Sequence, residues 1–304
     1  MPTILSDMAA RAPFIVSAIF HYLGPAFAVL LFVRVDVLGV AWLRIAAAAA
    51  VFALWRRPWG LLRDRDVLAW GAVLAVMNGC FYLAIDRLPL ATVAAVEFVP
   101  VIALAVLGLR TRRNAAALVL AVPGVYLLTG VHLEGEPLGV ALALANAGLF
   151  AAYIVLAHRV ASRGVGVDGL AAAMLVALVV ITPAAGWAAL PAFADPVALA
   201  AGAGVGISSS VIPYVADQVA MRRLSRAGYA LMVSLLPATA TVVGLLVLAQ
   251  VPSPAEAAGI ALVIAGVALH REPTPPPGGS RPPRPRPSPA ARPIPAASGS
   301  RGRP

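Results

Sequence analysis

The sequence predicts an all-α, polytopic membrane protein with ten transmembrane helices arranged as two inverted five-helix repeats. Three observations carry that prediction. Residues 13 to 270 read as ten apolar segments in succession. The chain is 61% hydrophobic and only 12% charged, with a mean hydropathy of +0.90, whereas soluble domains hold about 45–50% apolar and about 25% charged residues. The arginines of the connecting loops also alternate between dense and sparse from one loop to the next.

A helical span needs about 20 residues at 1.5 Å each. The segments fall near 13–32, 37–55, 67–86, 90–109, 114–131, 137–157, 167–190, 197–220, 227–249 and 253–270. Their Ala, Leu and Val runs lack strand-like alternation, and in lipid a helix satisfies its own backbone. The first run is longer than a signal-peptide core. One set of loops holds Arg11; Arg56, Arg57, Arg63 and Arg65; Arg110, Arg112 and Arg113; Arg159 and Arg163; and Arg222, Arg223 and Arg226. The opposite set holds Arg34 and Arg87. Positive loops stay inside, so both termini are expected in the cytoplasm of an inner (plasma) membrane protein. Losing or adding one span would scramble the alternation.

Ten spans divide into two units of five, and an odd-numbered unit must insert upside down when repeated. The expected organisation is a cytoplasmic N-terminus (1–12), a first repeat (13–131), a second repeat (137–270) and a disordered, Pro/Arg-rich cytoplasmic tail (271–304). The tail, with runs such as PPPGGSRPPRPRPSP, cannot offset its ordering cost by apolar burial. Two stretches match across the halves: Ala84 to Ala91 after span 3, and Ala220 to Ala227 after span 8. Each is a polar hinge leading to a proline within the next span, Pro100 and Pro237. Inverted repeats with interrupted helices are common among secondary transporters.

The sequence weighs against several function classes. The net charge of +10 does not indicate nucleic acid, because every basic residue is Arg and, Arg44 apart, they sit in loops or the tail. Cys80 is the one cysteine, so there is no intrachain disulfide and no Cys/His metal spacing. No cofactor is expected. Gly206-Ile207-Ser208-Ser209 bears a faint likeness to an intramembrane serine-protease loop, but no histidine follows before His270, and a nucleophile needs a base within reach. There is no Asp cluster for Mg²⁺ and no phosphate-cradling loop.

Ionisable side chains inside spans cost about 2.5–3.5 kcal/mol at mid-membrane unless they pair or face a cavity. Glu97, Arg44, Asp217 and His21 are therefore the leading candidates for substrate recognition or proton coupling. Arg44 and Glu97 each lie seven residues into spans that enter from the same side, so they share a depth of about 10 Å. An interaction between them is expected. A cation and an anion at one depth suit an amino-acid zwitterion, or a fixed ion pair that sets helix packing. Asn78, Tyr82, Tyr153 and Tyr214 are further candidates to line a polar path, as is Asn146, although such groups also serve as interhelical glue.

A family resemblance rests on Ala41-Trp42-Leu43-Arg44, Met77 to Leu83, Leu88-Pro89-Leu90 with Val96-Glu97-Phe98 and Pro100, Ala151-Ala152-Tyr153-Ile154, and Ile212-Pro213-Tyr214 with Asp217 and Arg223-Leu224. In order and spacing these resemble the drug/metabolite transporter superfamily, EamA type, and its threonine/homoserine exporter branch. The sequence departs from that pattern at Ser225, where a Pro is usual, and at Leu236, where a Glu often stands. The resemblance implies a ten-helix inverted-repeat fold and a central cavity. It also implies proton-driven export of amino acids or related metabolites, with no enzymatic activity. A broader drug or metabolite exporter is the alternative, and an intramembrane enzyme a more distant one. The implied partners are a small-molecule substrate, protons and the lipid bilayer, with a homodimer left open.

Overall fold

The computed structural model describes residues 2–97, 100, 112–133, 136–216 and 236–269. Among these the secondary structure is helical throughout, with no strand. Ten α-helices follow one another: α1 (Pro2–Leu31), α2 (Val37–Arg56), α3 (Arg65–Ile85), α4 (Leu90–Glu97), α5 (Arg112–Leu133), α6 (Pro137–Ser162), α7 (Gly166–Ala189), α8 (Pro196–Gly206), α9 (Leu236–Leu248) and α10 (Pro254–Leu269). Each coincides with one of the ten expected segments. Five helical stretches are long and apolar enough to cross a membrane, namely Val37–Arg56, Arg65–Ile85, Pro137–Ala157, Gly166–Ala194 and Pro196–Ala216. Shorter apolar stretches lie at Ile15–Leu31, Ala115–Leu127, Leu236–Leu248 and Pro254–Gly266. Most of span 4, the end of span 8, the start of span 9, the 220–227 hinge and the tail lie outside the described residues.

Two features were not expected. Helix α1 begins at Pro2, about three turns before the first apolar segment. Helix α8 does not run straight through span 8: after Gly206 it widens into a π-helical turn, Ile207–Val211, and then resumes to residue 216.

Short polar residues fix the helix starts. Asp36 accepts the Leu38 N–H at 2.9 Å, and Asp64 accepts Asp66 and Val67 N–H at 2.9 and 3.2 Å. Asp195 does the same for Val197 and Ala198, ahead of Pro196 at the first helical position. Ser253 and Glu256 form a reciprocal capping box around Pro254, with Ser253 N–H donating to Glu256 at 2.8 Å and Glu256 N–H to Ser253 at 3.3 Å. Each cap satisfies backbone donors that the first helical turn leaves open.

The interior is built from small residues. Fully buried positions are dominated by alanines such as Ala26, Ala41, Ala48, Ala94 and Ala172, while large side chains such as Val179, Leu246, Val119 and Trp187 point outward. Without a hydrophobic drive between helices in lipid, close backbone contact supplies the association. A Cβ at Gly206 would lie 2.6 Å from the Arg44 carbonyl oxygen, and one at Gly202 2.6 Å from the Leu43 side chain. A Cβ at Gly24 would overlap Ser209, and one at Gly39 the Ala188 carbonyl. Helix α2 therefore packs on α7 and α8, α3 on α6 and α7, α1 on α8 and α9, α4 on α6 and α9, and α5 on α10.

The loop contacts sort into two ends. At one, Arg34 pairs with Asp195 at 3.0 Å, and Gln250 accepts the Leu90 N–H at 3.0 Å. At the other, Arg56 meets Asp168 at 2.6 Å, and Arg163 bridges Asp64 and Asp66 at 2.7 and 2.8 Å. Arg113 donates to the Leu269 carbonyl at 2.7 Å. Loops expected on one side of the membrane thus meet each other in space.

Two predictions follow from this packing. Gly24→Val forces α1 away from Ser209, an overpacking of about 1–3 kcal/mol, and lowers the thermal unfolding temperature in detergent. Gly148→Ala, where a Cβ meets nothing within 4 Å, leaves that temperature unchanged. Arg163, by hydrogen bond and charge, holds the Asp64 carboxyl below the usual carboxylate range. A depressed native pKa contributes stability above the unfolded value of about 3.9 and loses it as pH falls through the native value. Hydrogen exchange of residues 57–66, corrected for intrinsic rates, therefore stays flat from pH 8 to 5 and rises below about pH 4. Asp64→Asn shows the rise already at neutral pH.

Candidate functional site

The π-helical turn of α8 lies just ahead of a proline. In an α-helix the N–H of residue 213 would close on the carbonyl of residue 209, but residue 213 is proline and has no N–H. The Ile212 N–H bonds to the Ile207 carbonyl, five residues back, and Pro213 withholds the N–H that an α-helix would give the Ser209 carbonyl. Such single wide turns recur at functional sites.

Arg44 of α2 takes that carbonyl. Its Nη2 donates to the Ser209 oxygen at 3.2 Å, and its Nε donates to the Ser210 hydroxyl at 3.0 Å. Gly206 lets the two backbones approach closely enough for this reach. The guanidinium also lies over the Tyr82 ring of α3, 5.4 Å from its centroid, a contact worth about 0.5–2 kcal/mol when desolvated. Arg44 is only 7% exposed, yet among the described residues it has no acidic ion-pair partner.

Glu97 of α4 is equally buried, at 6% exposure. Its carboxylate accepts a hydrogen bond from Asn146 Nδ2 of α6 at 3.2 Å. The charges of Arg44 and Glu97 act on one another through space, but the ion pair suggested by their equal depth is not formed. Each is held by neutral groups instead. His21 and Tyr22 of α1 complete the cluster, with rings edge to face at 5.2 Å. His21 lies within electrostatic reach of Arg44, and Tyr22 within reach of Glu97.

Three fully buried polar atoms around these charges have no hydrogen-bond partner among the described residues: Tyr22 Oη, Tyr82 Oη and Asn146 Oδ1. The Tyr82 hydroxyl lies close to Arg44 and Ser209 without completing a well-formed hydrogen bond. Native interiors rarely leave such atoms alone, and each calls for a reason.

The remaining expected residues are placed elsewhere. Asn78 donates back to its own helix, to the Leu74 carbonyl at 2.8 Å. Tyr153 stacks on Phe150 and leans on Trp70, with centroids at 5.9 and 5.7 Å, in an aromatic layer between α3 and α6. Tyr214 is half-buried against the core, just past the π-helical turn. Pro237 sits buried in the first turn of α9, where its carbonyl accepts from Thr241 at 2.9 Å. Pro100 is helical and half-buried. Asp217 lies outside the described residues. No group of three His, Cys, Asp or Glu residues suited to a metal occurs among the described residues.

Sequence reasoning missed Ser209, Ser210 and the orphan hydroxyl of Tyr22. A signal for the first two was present. Pro213 lies four residues after Ser209, a spacing that frees one known carbonyl. A double-mutant cycle tests this reading. Arg44→Met strands the Ser209 carbonyl and destabilises the protein by about 1–3 kcal/mol. In a Pro213→Ala background the N–H returns, and the same change costs about 1 kcal/mol less. Strictly additive unfolding temperatures would refute the link.

Known proteins bear on this arrangement. The EamA-like transporter family matches residues 137–271. The threonine/homoserine exporter RhtA of Escherichia coli (strain K12) is 28% identical over 249 residues, covering 80% of this chain and 84% of that protein. The threonine/homoserine exporter RhtA of Salmonella typhimurium (strain SL1344) is 29% identical over 262 residues, covering 82% and 88%. A solved crystal structure shares the fold with a TM-score of 0.56 at 20% identity, covering 86% of this chain and 96% of that one. Residues 137–271 thus match the EamA-like transporter family, and over four-fifths of its length the chain resembles the threonine/homoserine exporters.

Proposed function

We propose that the protein is a secondary transporter that exports threonine- or homoserine-like amino acids across the inner membrane by alternating access, coupled to protons. One observation carries the reading: a buried arginine and a buried glutamate within electrostatic reach, each held by neutral groups rather than by the other. A permanent structural pair would have closed on itself, because an unpaired buried charge is costly. Two opposite charges kept apart suit a ligand that carries both. Arg44 retains donors of its five-N–H fork for a carboxylate, and Glu97 accepts an ammonium or a proton.

The helix packing supports two repeats of five, residues 13–131 and 137–270. Exchanging each helix with the one five places on maps α2/α7, α4/α9 and α5/α10 onto themselves. It exchanges α3/α6 with α1/α8, α3/α7 with α2/α8, and α4/α6 with α1/α9. Every one of these pairs is in contact, as a two-fold relation between halves requires. An odd count per half makes the relation inverted, with the arginine-rich loops and both termini in the cytoplasm.

The test is efflux from vesicles loaded with radiolabelled threonine, homoserine and other amino acids, with and without an imposed pH gradient. Wild type shows gradient-stimulated efflux, and Glu97→Gln loses the stimulation while remaining folded. Folded wild type that moves no amino acid would overturn the substrate class and point to a broader drug or metabolite exporter.

A further inference from the structure

The site holds more unpartnered polar atoms than a bare zwitterion would use. A carboxylate and an ammonium account for two of the three. The Tyr82 hydroxyl stands beside Arg44 and Ser209, so it joins the donors that a carboxylate meets. The Asn146 amide donates to Glu97 through Nδ2 at 3.2 Å, and its Oδ1 is free. Asn146 Oδ1 and the Glu97 carboxylate together form a two-acceptor seat for an ammonium. The remaining atom is the Tyr22 hydroxyl, on a fully buried side chain of α1.

Tyr22 is held in place. Its ring packs edge to face on His21 at 5.2 Å. Two residues on, Gly24 brings α1 against Ser209, and five residues earlier the buried Ser17 donates to the Pro213 carbonyl at 3.3 Å. The hydroxyl thus belongs to a helix fixed at both sides to the same widened turn that holds Arg44.

We propose that Tyr22 is the specificity-determining residue that reads a hydroxyl on the substrate's side chain, as the third contact beside the carboxylate site (Arg44, Tyr82) and the ammonium site (Glu97, Asn146). This rests on the amino-acid reading above and assigns to one residue the recognition of the side-chain hydroxyl that threonine and homoserine share. A site built to hydrogen-bond a hydroxyl rejects the analogue that lacks it, because its own buried polar group is then left dry and unpaired. Three contacts about one tetrahedral carbon also distinguish L from D amino acids.

The experiment compares threonine with valine, which has nearly the same shape and lacks the hydroxyl. Initial efflux rates of both labelled amino acids are measured from vesicles carrying wild type, Tyr22→Phe or Tyr82→Phe. Wild type prefers threonine by about fivefold or more, the equivalent of one buried hydroxyl left unpaired. Tyr22→Phe brings that ratio towards one by losing threonine transport while keeping valine transport, which also serves as its folding control. Tyr82→Phe slows both amino acids together and keeps the ratio. A ligand series on wild type alone needs no variant: D-threonine and valine compete with labelled L-threonine more weakly than homoserine does.

Equal wild-type rates for threonine and valine would overturn the proposal and leave the amino-acid reading standing. An unchanged ratio in Tyr22→Phe would overturn it too, assigning the hydroxyl to a bound water, as would loss of both substrates in that variant, assigning it to packing. Failure of wild type to carry any amino acid would overturn both.

Discussion

The bond between Arg44 and the Ser209 carbonyl organises the rest of the molecule. It exists because Pro213 withholds the N–H that the carbonyl would otherwise receive, and because Gly206 lets α2 and α8 touch backbone to backbone. A guanidinium inside a membrane protein needs acceptors, and a freed helix carbonyl needs a donor. Each defect answers the other. The bond in turn fixes the Ser210 hydroxyl, the Tyr82 ring and the crossing of α1 over the widened turn, and so places Tyr22. A mutation in any of these residues acts on the whole cluster, so their effects should not add.

Most of the fold was legible because a bilayer leaves little freedom. Span length, backbone satisfaction and arginine alternation each constrain the answer independently. Each of the ten segments holds a helix among the described residues, several of them capped by short polar residues such as Asp36, Asp64, Asp195 and Ser253, residue types that mark helix starts. What could not be read was the departure from regularity. The π-helical turn depends on a balance between a missing N–H, a glycine contact and a partner from a distant helix, and only one of those three is local in sequence.

The site was legible in its charges and illegible in its partners. Arg44 and Glu97 stand out because charge is rare in a span. Their spacing within the spans suggested an equal depth, but equal depth does not imply contact. Neutral holders such as Ser210 and Asn146 look like any other small polar residue until the fold brings them to a charge. The same holds in reverse for Asn78, which is polar and buried yet spends its amide on its own helix. Tyr153 attracted notice as a polar residue, and its ring lies in a layer with Phe150 and Trp70.

On the proposed two-repeat reading the principal helix contacts exchange between the halves, but the chemistry does not. Arg44 and Glu97 stand on α2 and α4, while their counterparts α7 and α9 carry no charge at mid-helix among the described residues. The second half supplies the neutral groups that hold those charges: the Ser210 hydroxyl, the Ser209 carbonyl and the Asn146 amide. A framework with two-fold symmetry presents the same face twice, and so cannot by itself distinguish the head of a molecule from its tail. Recognition of a polar, handed ligand requires one half to bear the charges and the other to hold them. The two halves are then free to diverge in opposite ways: the first is constrained in ionisable identity, and the second in shape and hydrogen-bonding reach.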